Sequence, residues 1–490
     1  MNFISTRGGI NKISSTFAVL KGIADNGGLF VPENFPYIYK DIKKYRMKNY
    51  CELSFYIIKK FFQELGDENI KECIDKAYKN KFKVKLNNSF LELYHGPTYA
   101  FKDAALLLLP QLMKKCRHLE KIKDDIVILT ATSGDTGKAA LEGFKNIDGI
   151  KVIVFYPDKG VSTIQELQMK TSTGGNVYVV AIDGNFDDAQ RGVKNIFNNE
   201  EYKKVLKNKG IMLSSANSIN IGRLIPQIVY YFYGYFNMVN NKEIKEDEEI
   251  NVVVPTGNFG NILAAYYAKK MGLPIKNFIC ASNENNVLTD FLNTGEYNKN
   301  RELILTTSPS MDILVSSNLE RLLFELSNRD SELINYYMNS LNNKGKYRVN
   351  DSIRNNLKEF YGEFATGKEV SKTIKDVLEE ENYLIDPHTA VAYICYKKYL
   401  NKTGDKTKKL IISTASPFKF TKAVLSSLNV SYDDNNDFHL LKLLSEKCSL
   451  EIPVNLRELE KLPIFHNKKC KANEMKNMIM EVLNKLPQNI

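Results

Sequence analysis

The chain has no tryptophan, no CxxC pair and no run of eighteen or more apolar residues. The last absence excludes a membrane-spanning helix, which needs about 20 such residues. The opening MNFISTR lacks the charged-then-apolar layout of a secretion signal. Seven cysteines (Cys51, Cys73, Cys116, Cys280, Cys395, Cys448, Cys470) are dispersed and odd in number. That excludes a disulfide framework and points to reduced thiols in the cytoplasm. Five histidines (His95, His118, His388, His439, His466) show no metal-ligand spacing, so no metal is expected. No Lys/Arg block is interleaved with aromatics, which argues against nucleic-acid binding. The net charge of +11 comes from lysine spread along a chain also rich in Asn, Ile and Tyr. Such a field helps capture a small anion. There is no repeat and no long low-complexity tract.

What is present is an alternation of strand and helix. Apolar, branched runs at 126–130, 151–155, 177–182, 251–254, 277–281 and 410–412 predict strands. Helical patterns separate them, which is the signature of a parallel sheet covered on both faces. With 490 residues the chain is long enough for about two or three domains. The polar stretch 240–249 reads as a connector, and a second polar stretch spans 401–408. Ser317 and Glu320 have capping-box spacing, ahead of Leu319, Leu322, Leu323 and Leu326 at core-helix spacing. Residues 1–90 and 430–490 read as mainly helical additions.

The segment HGPTYAFKD (95–103) places Lys102 between Phe101 and Asp103, after a Gly96-Pro97 turn and before an apolar helical run over 104–113. A lysine at a buried helix start has its pKa lowered by the helix dipole and by burial. The neutral amine that results attacks carbonyls, most often as a Schiff base. A solvated lysine answered by Asp103 fits the same nine residues.

Three loops follow predicted strands, where ligands bind in open α/β sheets. Thr132, Ser133, Gly134, Asp135, Thr136 and Gly137 crowd hydroxyls and amides at a helix start near Lys138, which fits an anion site and also an N-cap with a flexible turn. Residues 255–261 (PTGNFGN) set two glycines among asparagines, before a helix over 262–271. Their amides can converge on a phosphate, with neither Walker nor dinucleotide spacing. The third loop, Ser413 to Pro417, reads alone as a turn. A fourth segment, SSANSINIGR (214–223), ends in Arg223 at the start of an apolar helix, and arginine grips phosphate.

Together HGPTYAFKD, TATSGDTGKAA, SSANSINIGR, PTGNFGN, SMDI (310–313), DPHTAV (386–391), STASPFKF and the opening ISTRG resemble, in order, the threonine synthases. These are pyridoxal-phosphate enzymes of the tryptophan-synthase-β-like fold type II. The resemblance implies two parallel-type α/β domains with helical additions at both ends. The expected division is an N-terminal domain at 1–90, a smaller α/β domain with the lysine and anion loops at 91–240, a larger one with the phosphate cradle at 241–430, and an extension at 431–490. By position, Lys102 matches the Schiff-base lysine and Phe101 lies beside it. Gly257, Asn258, Phe259, Gly260 and Asn261 match the cradle of the cofactor phosphate. Thr414 matches the hydroxyl facing the pyridine nitrogen, and Asp135 the position near the ring oxygen. Thr132, Ser133, Thr136, Asn217 and Arg223 match positions holding substrate carboxylate and phosphate. The implied substrate is O-phospho-L-homoserine, converted to L-threonine and phosphate in the last step of threonine biosynthesis. A phospho-lyase releasing 2-oxobutyrate, ammonia and phosphate is the alternative. Ser416 stands where the family usually has histidine, and Phe418 where it has a small residue, which changes the packing expected near the cofactor ring. No membrane partner is expected, and monomer and homo-oligomer both stay open.

Overall fold

The computed structural model describes residues 1–132, 134–158, 161–432 and 436–485. Strands β1 (Asn2–Ser5), β2 (Ile13–Ser14) and β3 (Phe30–Pro32) form a small antiparallel sheet. They are followed by β4 (Lys83–Asn87), β5 (Phe90–His95), β6 (Asp125–Ala131), β7 (Ile150–Pro157), β8 (Val177–Asp183), β9 (Ile211–Ser214), β10 (Ile250–Pro255) and β11 (Ile275–Ser282). The short pair β12 (Glu296–Asn298) and β13 (Lys346–Arg348), then β14 (Phe360–Phe364), β15 (Lys409–Ser413) and β16 (Lys468–Lys471) complete the set.

Two sheets dominate. The larger has six strands in the order β14-β11-β10-β15-β5-β4, and the smaller has five in the order β16-β8-β7-β6-β9. Every pairing in both is parallel except β4 with β5. The reason is visible in the runs themselves. Every residue of β7 and of β10 is buried. Strands covered on both faces are the ones that pair in parallel. A branched side chain sunk this way stabilises the fold by about 1.5–3 kcal/mol. All six strands expected from the apolar runs are present. Among the described residues no helix is long and apolar enough to cross a membrane.

The end segments are mainly helical but also carry strands: β1, β2 and β3 open the chain, and β16 adds an edge to the smaller sheet beside β8. The KKCK of β16 has no apolar pattern, because an edge strand is held by its neighbour's backbone and buries only Cys470. Three expectations need correction. The sheet membership does not follow the linear division at residue 90. Both β4 and β5 belong to the larger sheet, so Lys102 hangs from that sheet, and Asp135 faces it from the smaller one. Ser317 caps nothing. The helix Leu319–Leu326 starts from Asn318, and Glu320 instead binds Arg7 through two oxygens (3.0 and 2.9 Å) and Thr6 (2.6 Å). This ties the ISTRG motif to the larger domain. Leu319, Leu322, Leu323 and Leu326 are buried as their spacing predicts. Finally, the run 104–113 is two helices, Asp103–Leu106 and Leu109–Leu119. Pro110 explains the break, since it has no N–H for the Leu106 carbonyl and its ring crowds that carbonyl.

Candidate active site

The carboxyl ends of β10, β15 and β5, neighbours in the larger sheet, meet those of β6 and β9, neighbours in the smaller one. The chain leaving β5 turns back on the end of β15: Ala100 bridges Ala415, and the Phe101 amide donates to the Thr414 carbonyl at 2.8 Å. That bond sets Lys102 beside Thr414, which is itself buried.

Lys102 is nearly enclosed, with 11 % of its side chain exposed. Its Nζ donates to Ser310 Oγ at 3.2 Å and lies 3.6 Å from an Asp135 carboxylate oxygen. The Phe101 ring centroid is 5.4 Å away. Burial pushes the amine's pKa below the ordinary lysine value; Asp135 opposes this, while Lys419 and Arg223 add to it. The expected depression is therefore present, but its cause differs from the helix-dipole reading. The helix after Lys102 has four residues, too short for a useful dipole. Asp103 does not answer Lys102 either. It accepts from the Thr98 amide (2.9 Å) and hydroxyl (2.7 Å), and burial raises its pKa to about 7.

Asp135 opens the helix Asp135–Phe144, three residues earlier than the sequence suggests. It is held by Lys419 at 2.6 Å and by Gln165 Nε2 at 3.1 Å. Burial works against its charge, yet Lys419 and Lys102 outweigh it and hold the carboxyl well below the usual range. Lys419 has no exposed side-chain surface and also donates to the Thr98 carbonyl at 2.8 Å. One carboxylate thus serves two buried lysines. Sequence reading assigned Lys419 no role, although a lysine inside the apolar turn PFKF was the available signal. Phe418 beside it is buried in the second hydrophobic core with Leu425 and Leu440, and Ser416 is tied to the Tyr99 carbonyl at 3.1 Å. The two departures thus sit in a closed pack.

The loop after β10 has the features of an anion cradle. Phe259 adopts a left-handed backbone (φ 62°) and starts the helix Gly260–Lys270. Among the described residues, the amides of Gly257, Asn258 and Phe259 have no acceptor. Asn261 Oδ1 accepts from Tyr230 (2.6 Å) and Tyr231 (2.5 Å), which leaves its buried Nδ2 with no partner. Burial keeps both phenols protonated by raising their pKa well above the ordinary value. A buried donor without an acceptor is costly unless a ligand supplies one. Gly257 is required by its neighbour: a Cβ there would lie 2.6 Å from the Ser310 carbonyl oxygen.

A second set of donors comes from the smaller domain and the helix Ile221–Asn240. Arg223 is buried, donates Nη1 to the Ala216 carbonyl at 2.8 Å and keeps a buried Nε with no partner among the described residues. Burial lowers its pKa to about 10, which leaves it charged at neutral pH. Asn217 and Thr136 are half-buried, with side chains bonded to no described residue. Thr132 is used differently. Its Oγ1 accepts from the Gly134 (3.0 Å) and Gly137 (2.9 Å) amides, so it shapes the loop and keeps only its own O–H to offer. Ser133 lies outside the described residues. Of the other expected residues, Lys102 is joined directly to Asp135, through the Ser310 turn to Gly257, and electrostatically to Arg223.

The chain's relatives agree with this geometry. Residues 2–78 match the family model "Threonine synthase N terminus", and residues 87–415 match "Pyridoxal-phosphate dependent enzyme". Threonine synthase of Schizosaccharomyces pombe is 37% identical over 476 residues, covering 89% of this chain and 91% of that protein. A PLP-bound threonine synthase from Brucella melitensis has a similar structure, with TM-score 0.87, 33% identity and all of both chains covered. So has the threonine synthase from yeast, with TM-score 0.87, 34% identity and 99% of both chains covered. The buried lysine, the open amide cradle and the second donor set are thus those of a chain that belongs to the threonine synthase family of pyridoxal-phosphate enzymes.

Proposed function

We propose that the chain converts O-phospho-L-homoserine and water to L-threonine and phosphate, with Lys102 as the working amine. One observation carries this reading: two independent sets of donors without acceptors among the described residues, buried Asn261 Nδ2 with the open 257–259 amides and buried Arg223 Nε, accompany one enclosed amine. An enzyme that binds a phosphorylated cofactor and a phosphorylated substrate needs both.

The cradle residues Gly257, Asn258, Phe259, Gly260 and Asn261 would hold the phosphate of pyridoxal phosphate, with Thr414 and Asp135 toward its ring. When bound, that group supplies the electron sink for carbanions beside the substrate nitrogen. The chain does the rest. Lys102 Nζ, whose pKa burial pushes down, takes and returns protons at the substrate carbons. Arg223, with Asn217, Thr136 and the loop after β6, binds the substrate's anions. In a water-poor cleft such charge contacts stabilise the departing phosphate by several kcal/mol, on the order of one oxyanion-hole donor. A neutral hydroxyl at Thr414 would support protonation of that cofactor's ring nitrogen less than a carboxylate would, which would favour elimination over transamination. All seven cysteines are unpaired, which supports a reducing, cytoplasmic setting.

Product analysis with O-phospho-L-homoserine tests the proposal: threonine and phosphate are expected in equal amounts, whereas 2-oxobutyrate with ammonia identifies the phospho-lyase. Arg223→Gln removes the charge on the substrate side. It is expected to lower kcat/KM for the phosphorylated substrate about 10²-fold to 10³-fold, in line with loss of one preorganised donor. Cofactor affinity should stay within about twofold, since its cradle is untouched. Gly257→Ala should do the converse. Its Cβ meets backbone that cannot rotate away, at a strain of about 1–3 kcal/mol. Absorbance titration of the apo-protein should then show cofactor uptake about tenfold to a hundredfold weaker.

A further inference from the structure

Two conserved-order segments of the resemblance, SMDI and DPHTAV, are left without a task by the reading above, and the structure joins them behind Lys102. Ser310 sits in the turn Pro309–Met311. Its hydroxyl is the nearest hydrogen-bond partner of Lys102 Nζ, at 3.2 Å. Its backbone amide donates to His388 Nε2 at 3.3 Å. Because Nε2 accepts, the ring proton is on Nδ1, which lies 2.7 Å from an Asp386 oxygen. Asp386 is completely buried and fixed from several sides. It caps the helix Pro387–Thr403 through the His388 (3.0 Å) and Thr389 (3.1 Å) amides and accepts from the Thr389 hydroxyl. That hydroxyl reaches Ser413 at the end of β15, at 2.9 Å. The imidazole is also locked by Phe420, whose ring meets it edge-on at 4.9 Å. On its far side the Ser310 carbonyl packs against Gly257, so the turn has no slack.

We propose that Ser310 is a catalytic residue that aims the Lys102 lone pair, and that His388 and Asp386 are positioning residues that fix Ser310 through its backbone amide. The proposal rests on Lys102 being the working amine. A neutral primary amine has two N–H bonds and one lone pair. One N–H goes to Ser310 Oγ, and the Asp135 carboxylate, at 3.6 Å beyond hydrogen-bond range, attracts the other electrostatically. One hydrogen bonded and the other drawn to one side restrict the direction of the lone pair. When the nitrogen takes a proton from a substrate carbon, both contacts persist and the new N–H lies along the former lone pair, ready to be returned at the next carbon. A 1 Å misplacement of such a group can cost about a hundredfold in rate.

The test uses Ser310→Ala, His388→Leu and His388→Gln, the last keeping an acceptor for the Ser310 amide. First, Lys102 in each apo-protein is labelled with a neutral acylating reagent across pH and quantified by mass spectrometry. Loss of the Ser310 acceptor should lower the apparent pKa of Lys102 in Ser310→Ala, with Asp135, Lys419 and Arg223 the charged neighbours common to all variants. Second, kcat should fall roughly tenfold to a hundredfold in Ser310→Ala and His388→Leu with KM little changed, as for a misaligned proton-transfer group. His388→Gln should recover most of it. An unchanged labelling profile together with unchanged kcat in Ser310→Ala overturns the inference. So does an equal failure of His388→Gln and His388→Leu, which would make the imidazole a packing residue. If Lys102→Ala retains turnover, the reading of Lys102 itself falls; if Lys102→Ala is dead and Ser310→Ala is normal, only this inference does.

Discussion

Lys102→Ala is expected to lose turnover by on the order of 10⁴-fold or more, the full scale of removing a positioned proton-transfer group. The same substitution should abolish covalent attachment of the cofactor, so that borohydride reduction no longer fixes it to the protein. Cofactor binding itself should persist, because the donors at 257–261 do not involve Lys102. Nor should the fold fail. The residue is a partly desolvated amine whose loss still leaves Asp135 paired with Lys419 at 2.6 Å. Circular dichroism and a urea melt of the variant check this, and they separate a chemical loss from a structural one. Full activity in the alanine variant would refute the role of the amine and, with it, the proposed reaction.

The framework around that amine was largely legible in the sequence, because its information is local. Runs such as 151–155 and 251–254 are branched and apolar throughout, and a strand buried on both faces has no other composition available. Glycine and asparagine at 257–261 announced a backbone that offers amides, and the loop does. What the sequence hid is non-local. Lys419 meets Asp135 and Thr98, which lie hundreds of residues away, and no spacing rule connects them. The edge strand β16 is made by its partner rather than by its own KKCK. Glu320 has the right offset for a capping box, yet the half-buried Arg7 guanidinium competes for it with two hydrogen bonds. Charge-assisted bidentate contacts outweigh a neutral cap. Lys102 itself was found for a partly wrong reason: burial and two neighbouring cations, not a helix dipole, lower its pKa.

Asp135→Asn should be the most destabilising single change in the cleft. The wild-type carboxylate balances Lys419 and Lys102, both largely out of solvent. An amide of the same shape leaves two buried cations with no counter-ion. Removing one partner of a buried pair costs about 3–5 kcal/mol. Its pH dependence has a definite sign. Asp135 has a folded pKa below its unfolded one, so it stabilises at neutral pH and that contribution is lost only as pH falls through its low folded value. Lys102 also has a lowered folded pKa, but for a cation this is a penalty. It is present in full below the folded pKa and relieved as pH rises toward the ordinary lysine value. Without Asp135 the lysine's pKa drops further. The deficit of the variant should therefore be large at neutral pH and narrow as the buffer approaches pH 10, measured as urea midpoints of the apo-protein. Pairing the change with Lys419→Met removes the uncompensated charge and should recover much of the loss, since an apolar replacement of a buried ion pair is often neutral. If the double variant is as unstable as the sum of the two single ones, the pair is not the electrostatic unit described here. In that event the low pKa of Lys102 would have to come from burial and Arg223 without a share from Lys419.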